Sequence, residues 1–269
     1  MRLTELPTTI TLHEGGHVFK TPDGQPKTQS IQKADIKPTL KILEPALGIP
    51  LVSHVLGSAG KKAQSGDIDI SVDPHVISKD ELILKLKSWV RDVHGQDGDH
   101  WVKKSGISVH FLMPIRNDPT NGYVQIDFMF HKGGDAETDW MKFSMYSAGD
   151  NSTYSGADRN MLMSSIAKAQ GLKYSWQKGL IRREDEQLIS RDPDQIAQRL
   201  LGAAHDHDSL LSVETIQAAL DEQPELKHKL FDLADQLEKP TTPSGEPIKP
   251  GQQRVNQEEA ALIRRLVTS

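Results

Sequence analysis

The sequence predicts an α/β (α+β) chain in which a mixed, mostly antiparallel sheet precedes a smaller α-rich unit. Three observations carry this expectation. DIDISVD, residues 67–73, alternates strictly, with Asp67, Asp69, Ser71 and Asp73 on one side and Ile68, Ile70 and Val72 on the other, the period of a half-buried strand. VQIDFMF, residues 124–130, repeats the pattern: Val124, Ile126 and Phe128 face a core, and Gln125, Asp127 and Met129 face away from it. After Asp150 the apolar residues fall instead at helical spacings.

The remaining elements follow in chain order. Residues 1–33 mix turn formers with polar residues and read as a short strand or an irregular arm. Ile36, Leu40 and Leu43 recur at steps of four and three, which predicts a helix from Ala34 to Leu43, with Pro38 in its first turn and Pro45 ending or kinking it near Glu44. LVSHVLG, from Leu51, reads as a short strand ending at Gly57-Ser58, and Leu82, Leu86, Trp89 and Val90 mark a helix from Lys79 to Val93. Trp101–Pro114 and Tyr123–His131 read as two antiparallel strands joined by the turn-rich RNDPTNG. Further helices are expected over Asp158–Ala169 with Gly171 at the C-cap, Asp192–Leu201, Val213–Leu220 and Pro224–Glu238. KPTTPSGEPIKPG, residues 239–251, holds four prolines and reads as a linker or extended arm, and the last 18 residues read as one short helix carrying Leu262, Ile263 and Leu266. The organisation expected is an arm and helix (1–50), a sheet unit (51–150), an α-rich unit (151–238), and a linker with a partner-binding tail (239–269).

Composition narrows the function classes. Hydrophobic residues make up 36% and charged residues 26% of the chain, the balance of a water-soluble globular protein. No apolar run approaches the roughly 20 residues of a membrane helix, and MRLTELPTTITLHEGG lacks the apolar core of a secretory signal, so the expected location is the cytoplasm. The chain has no cysteine, which excludes disulfides and thiolate metal sites. Its net charge of −5 argues against coating nucleic acid by overall basicity; any polyanion contact must be local.

The chemistry concentrates in LGSAGKKAQSGDIDISVD, residues 56–73. Asp67 and Asp69 project from one face of a strand and repel each other, so either one takes up a proton or a cation sits between them. Oxygen-only ligands favour magnesium or manganese, which keep waters and bind substrate phosphates. Asp127, one acid in an apolar strand, supplies a third carboxylate. In front of the acids, Gly57 and Gly60 permit tight turns, Ser58 offers a hydroxyl and an amide, and Lys61 and Lys62 bring positive charge. That is a phosphate cradle beside a metal site, although the Walker spacing is absent.

On these residues the chain resembles the nucleotidyltransferase superfamily, and most of all its DNA polymerase beta (family X) branch: GSAGKKAQSGDIDI resembles the family's Gly-Ser, basic loop and Asp-x-Asp. YSGADRNMLMSSIAKAQGLKYSWQKGLI, residues 154–181, is similar to the family's thumb segment. The likeness covers roughly residues 51–185, about half of the chain. It implies a palm followed by a thumb, with Asp67, Asp69 and Asp127 holding two magnesium (or manganese) ions. It also implies Gly57, Ser58, Gly60, Lys61 and Lys62 near the triphosphate of an NTP or dNTP, Tyr154, Ser155 and Gly156 beside sugar and base, and Asn160 on the nucleotide. The implied activity is nucleotidyl transfer to a 3′ hydroxyl with release of pyrophosphate. DNA is the favoured acceptor; RNA such as a tRNA end, a protein or small-molecule hydroxyl, and a catalytically inactive nucleic-acid-binding module remain as alternatives. The sequence departs from the family in having lysines for the usual arginines, Tyr154 alone for an aromatic pair and Ala157 for serine, and the roughly 50 residues before the expected palm lead us not to expect lyase activity. Lys168, Lys173, Lys178, Arg182 and Arg183, with Tyr174 and Trp176, suggest a local strand-binding patch. His205 and His207 read as part of a polar loop between helices.

Overall fold

A computed structural model describes residues 18–242 and 245–267, and the chain is an α/β fold. Residues 1–17 of the expected arm (1–33) lie outside the described residues.

Strand β1 (Ile31–Gln32) leads into α1 (Lys33–Leu47), and β2 (Gln64–Ser65) pairs with β1. The main sheet is built from β3 (Asp67–Val72), β4 (Val102–Ser105), β5 (Ser108–Pro114) and β6 (Tyr123–Phe130), with α2 (Lys79–His94) between β3 and β4. Its order is β3-β6-β5-β4; β3 runs parallel to β6 and the other two pairings are antiparallel. The parallel pair needs the long crossover through α2, β4 and β5, whereas β4 and β5 close a hairpin at Gly106, where φ is +52°. Trp101–Pro114 is therefore two strands rather than the one expected.

Alternation in each strand produces two unlike faces. Ile68, Ile70, Phe111, Ile126 and Phe128 are fully buried beside Leu40, Leu43, Leu82 and Leu86, the inward stripes of α1 and α2. Helix α1 runs through both prolines to a left-handed cap at Gly48, against the expected break near Glu44. Leu43 and Leu47 sit on one fully buried stripe, and their packing offsets the single backbone bond that Pro45 removes. The run after Leu51 is a helical turn rather than a strand; it reaches the sheet only where Val55 bridges Ile70 and Leu56 N donates to Asp69 O at 2.9 Å.

The α-rich unit contains α3 (Asp135–Ser144), α4 (Gly156–Ala169), a small sheet of β7 (Leu172–Ser175), β8 (Gly179–Arg182) and β9 (Leu188–Ser190), then α5 (Pro193–Leu201), α6 (Val213–Asp221), α7 (Pro224–Leu237) and α8 (Pro250–Val267). Helix α3 belongs to both parts. Met141 packs with Leu56 and Met129 on the main-sheet side, while Trp140 and Phe143 pack into the second core. Arg191, just after β9, clamps α3 by pairing with Glu137, Nη2 to Oε2 at 3.0 Å, with its guanidinium 5.0 Å from the Trp140 ring centre.

The C-terminal segment forms helix α8, which packs on the chain's own core instead of extending as a free arm. Ala260, Leu262, Ile263, Leu266 and Val267 of α8 are buried in the core shared with α4 and α7. Arg264 donates to Asp235 and Glu238 at the C-terminal end of α7, and Ser165 Oγ donates to Glu259 at 2.9 Å. The apolar stripe that suggested a partner is used within the chain. Among the described residues no helix is long and apolar enough to cross a membrane.

Candidate active site

Register brings the three predicted acids together. Asp69 lies directly opposite Asp127 in the parallel β3–β6 pair, and Asp67 lies opposite Gln125. In-register neighbours of a sheet point to the same face, and their backbones are roughly 4.8 Å apart, with Asp67 about 6.6 Å along its strand. The face they share is the polar one, opposite the packed face of the sheet.

One strand further on, His110 of β5 lies opposite Asp127. His110 Nδ1 and Asp127 Oδ1 are 2.8 Å apart, and Gln125 Nε2 donates to Asp127 Oδ2 at 3.0 Å. An ionised carboxylate can only accept, so the proton of the first bond is on His110 Nδ1. Both side chains of this pair are mostly buried, 12% and 14% exposed. Asp127 is thus held in a fixed orientation from two sides. Sequence reading missed His110, and its only local signal is one polar residue alternating with Val109 and Phe111.

The Gly-Ser loop sits against these acids because the bridge from Val55 and Leu56 to β3 leads straight into it. Gly57 bridges Tyr146 and has φ +63°; a β-carbon there would lie 3.7 Å from Asp69 Oδ2. Ser58 O accepts from Lys61 N at 2.9 Å and Lys62 N at 3.1 Å, which folds residues 58–62 into a tight turn through Gly60, φ +77°. Both lysines are half-buried. Lys61 Nζ lies 4.0 Å from the Tyr146 ring centre. Burial pushes the Lys61 ammonium below its ordinary pKa, and the positive charge of Arg159 adds to this. Gly149 packs so closely that a β-carbon would lie 2.6 Å from Lys61 Cβ.

Tyr146, also missed in the sequence, links the loop to the expected thumb residues. Its carbonyl oxygen would be 3.0 Å from a β-carbon on Gly156, the first residue of α4. Ser155 caps that helix: its Oγ accepts from Asp158 N at 3.1 Å, and Asp158 Oδ2 accepts from Ser155 N at 2.9 Å. Asn160 Nδ2 donates to Ser144 O at 2.9 Å, tying α4 to the end of α3. Tyr154 packs against the second core, with Arg265 Cζ 5.0 Å from its ring centre. As they stand, these polar groups serve the fold. Arg159 is 1% exposed, lies 4.8 Å from the Phe143 ring centre and donates to Leu210 O, and its Nη2 has no partner.

The donor set of Asp67, Asp69 and Asp127 suits a hard divalent cation by its chemistry. Among the described residues, no three histidine, aspartate or glutamate side chains already form a cation cage. The strand-binding patch is largely paired off. Lys173 and Lys178 both reach Glu186, Arg182 reaches Asp185 and Lys168 reaches Glu259, while Tyr174 is 5% exposed and offers no stacking face. His207 caps the segment near α5 by bonding Asp194 through N and Nδ1. Comparison with known protein families and with curated proteins finds no match for this chain.

Proposed function

We propose that the chain is a metal-dependent nucleotidyltransferase of the DNA polymerase beta type, acting in the cytoplasm, and that it moves a nucleoside monophosphate from an NTP or dNTP to a 3′ hydroxyl. The observation that supports this best is the in-register pair Asp69–Asp127 with Asp67 beside it, directly under the Gly57 loop. Asp67, Asp69 and Asp127 would hold two magnesium or manganese ions, which when bound neutralise triphosphate charge and acidify the acceptor hydroxyl. Ser58, the amides after Gly57 and Gly60, and the Lys61 and Lys62 ammonium groups hold the phosphates. Asp127, oriented by His110 and Gln125, takes the hydroxyl proton. The O3′–Pα bond forms as the bond from Pα to the bridging oxygen breaks, and pyrophosphate leaves. DNA is the favoured acceptor, with RNA or a small hydroxyl compound next.

The test incubates labelled primer, gapped DNA and tRNA with single nucleoside triphosphates and magnesium or manganese, and follows extension and pyrophosphate. Transfer that falls more than about 100-fold in Asp127→Ala is expected. No pyrophosphate with any acceptor, or an undiminished variant, refutes the proposal. A second reading, a catalytically inactive binding module, is favoured by the engagement of both Asp127 oxygens with protein donors. It predicts nucleic-acid binding that survives Asp67→Ala without any pyrophosphate release.

A further inference from the structure

A second cleft opens beyond the far ends of β3 and β6, where the palm meets α3 and the β7–β8 hairpin. Its volume is about 670 Å³. Phe130 is three residues along β6 from Asp127, roughly 10 Å, so the cleft is separate from the carboxylate row. Met141, in the apolar cluster with Leu56 and Met129, forms part of the wall.

The lining combines two chemistries. Half-buried Trp176 supplies the aromatic face, with the buried Phe130 and Trp140 behind it in the wall. Trp140 cannot turn away, because its Nε1 donates to Trp176 O at 2.8 Å. Around these rings stand Lys79, Lys132, Lys178 and Arg191 against a single carboxylate, Glu137, which Arg191 already binds. His131 adds no charge: its Nδ1 accepts from Gly133 N at 3.0 Å, so that nitrogen carries no proton. This is an excess of cations in a chain of net charge −5. Lys132 is exposed and forms no ion pair among the described residues. Lys178 pairs with Glu186 at 2.8 Å across an exposed surface, a weak, solvent-screened contact that a phosphate can displace. Arg191 also keeps a buried Nε with no acceptor.

We propose that this cleft binds a nucleobase carrying a phosphate, with the base against Trp176 and the phosphate between Lys132 and Lys178. Inorganic phosphate alone would leave the aromatic surface uncovered, and an uncharged aromatic compound would leave the cations unanswered; stacking plus backbone charge is how single nucleotides are held without base readout. The ligand is either a free nucleotide or one residue of a single strand. The inference does not rest on the proposed transferase activity.

The test is calorimetric titration of the full chain, in a chelator that removes divalent cations, with AMP, adenosine, ribose 5-phosphate and a short oligothymidylate. AMP or the oligonucleotide should bind at least tenfold tighter than adenosine or ribose 5-phosphate. Trp176→Ala and the double variant Lys132→Glu/Lys178→Glu should each lose at least tenfold, and Asp69→Asn/Asp127→Asn should bind like the parent. Binding by the oligonucleotide alone assigns the site to a single strand, and equal binding by AMP assigns it to free nucleotides; both support the proposal. It is overturned if AMP and the oligonucleotide bind no tighter than ribose 5-phosphate, if none binds, or if the Asp69/Asp127 variant loses binding that Trp176→Ala keeps. Thermal melts confirm that each variant is folded. Trp176 contributes its backbone carbonyl, not its ring, to the Trp140 bond, so its substitution leaves that tether in place.

Discussion

Substituting Gly149 by alanine tests the packing that fixes Lys61. Gly149 has φ +66°, and an alanine in that left-handed region costs about 1–2 kcal/mol. The new methyl would also lie 2.6 Å from Lys61 Cβ and 2.8 Å from Lys61 O, so one of the two segments must move. Forced overpacking of this kind adds on the order of 1–3 kcal/mol. Gly60 is the control: its φ of +77° carries the same backbone penalty, yet a β-carbon there meets nothing within 4 Å. Thermal unfolding should therefore place Gly60→Ala about 1–2 kcal/mol below the parent, roughly 2–8 °C in Tm, and Gly149→Ala distinctly lower still. NMR of isotopically methylated lysines supplies a second readout. Lys61 titrates below an ordinary lysine in the parent because it is buried, and it should move towards the ordinary value in Gly149→Ala but not in Gly60→Ala. Equal destabilisation by the two substitutions, with Lys61 unmoved in both, would refute the argument that Gly149 holds the loop by close contact.

Further outcomes follow from other contacts. His110→Ala leaves Asp127 short of one donor and should cost about 1–3 kcal/mol of stability, while lowering kcat far more than it raises the nucleotide KM; His110→Gln should recover part of the loss. Glu44 is held down to a pKa of about 2, first by its bond from Lys41 and also by the amides of Val52 and Leu51. A depressed folded pKa contributes stability that is present above pH 4.5 and lost as the pH falls towards 2. The melting temperature should therefore fall more steeply across that window in the parent than in Glu44→Gln, as calorimetry at successive pH values would record. Leu266→Ala should cost about 2–5 kcal/mol in denaturant unfolding, because the side chain is fully buried; a negligible change would mean that α8 is not part of the core.

The acid strand was readable because a period of two is a local property. It places Asp67 and Asp69 on one face without knowledge of any neighbour, and the same holds for Asp127 on its own strand. What sits beside what is a matter of register, which no local pattern contains. His110 could be recognised as a partner of Asp127 only once β5 was aligned with β6. Tyr146 was hidden for the same reason: its bridge to Gly57 spans many intervening residues. Local rules were overridden where burial was strongest. Pro45 reads as a helix breaker, yet Leu43 and Leu47 keep α1 intact around it. The pattern of Leu262, Ile263 and Leu266 correctly announced a buried stripe, while its partner, the α4–α7 surface of the same chain, was not visible in the pattern itself.

Helix α3 turns Met141 towards one hydrophobic interior and Trp140 and Phe143 towards the other. A wall common to two rooms cannot be taken down from one side only. Loosening either interior would present the helix's apolar surface to water and weaken its neighbour, so heat or denaturant should meet one cooperative unit rather than two lobes that come apart in turn.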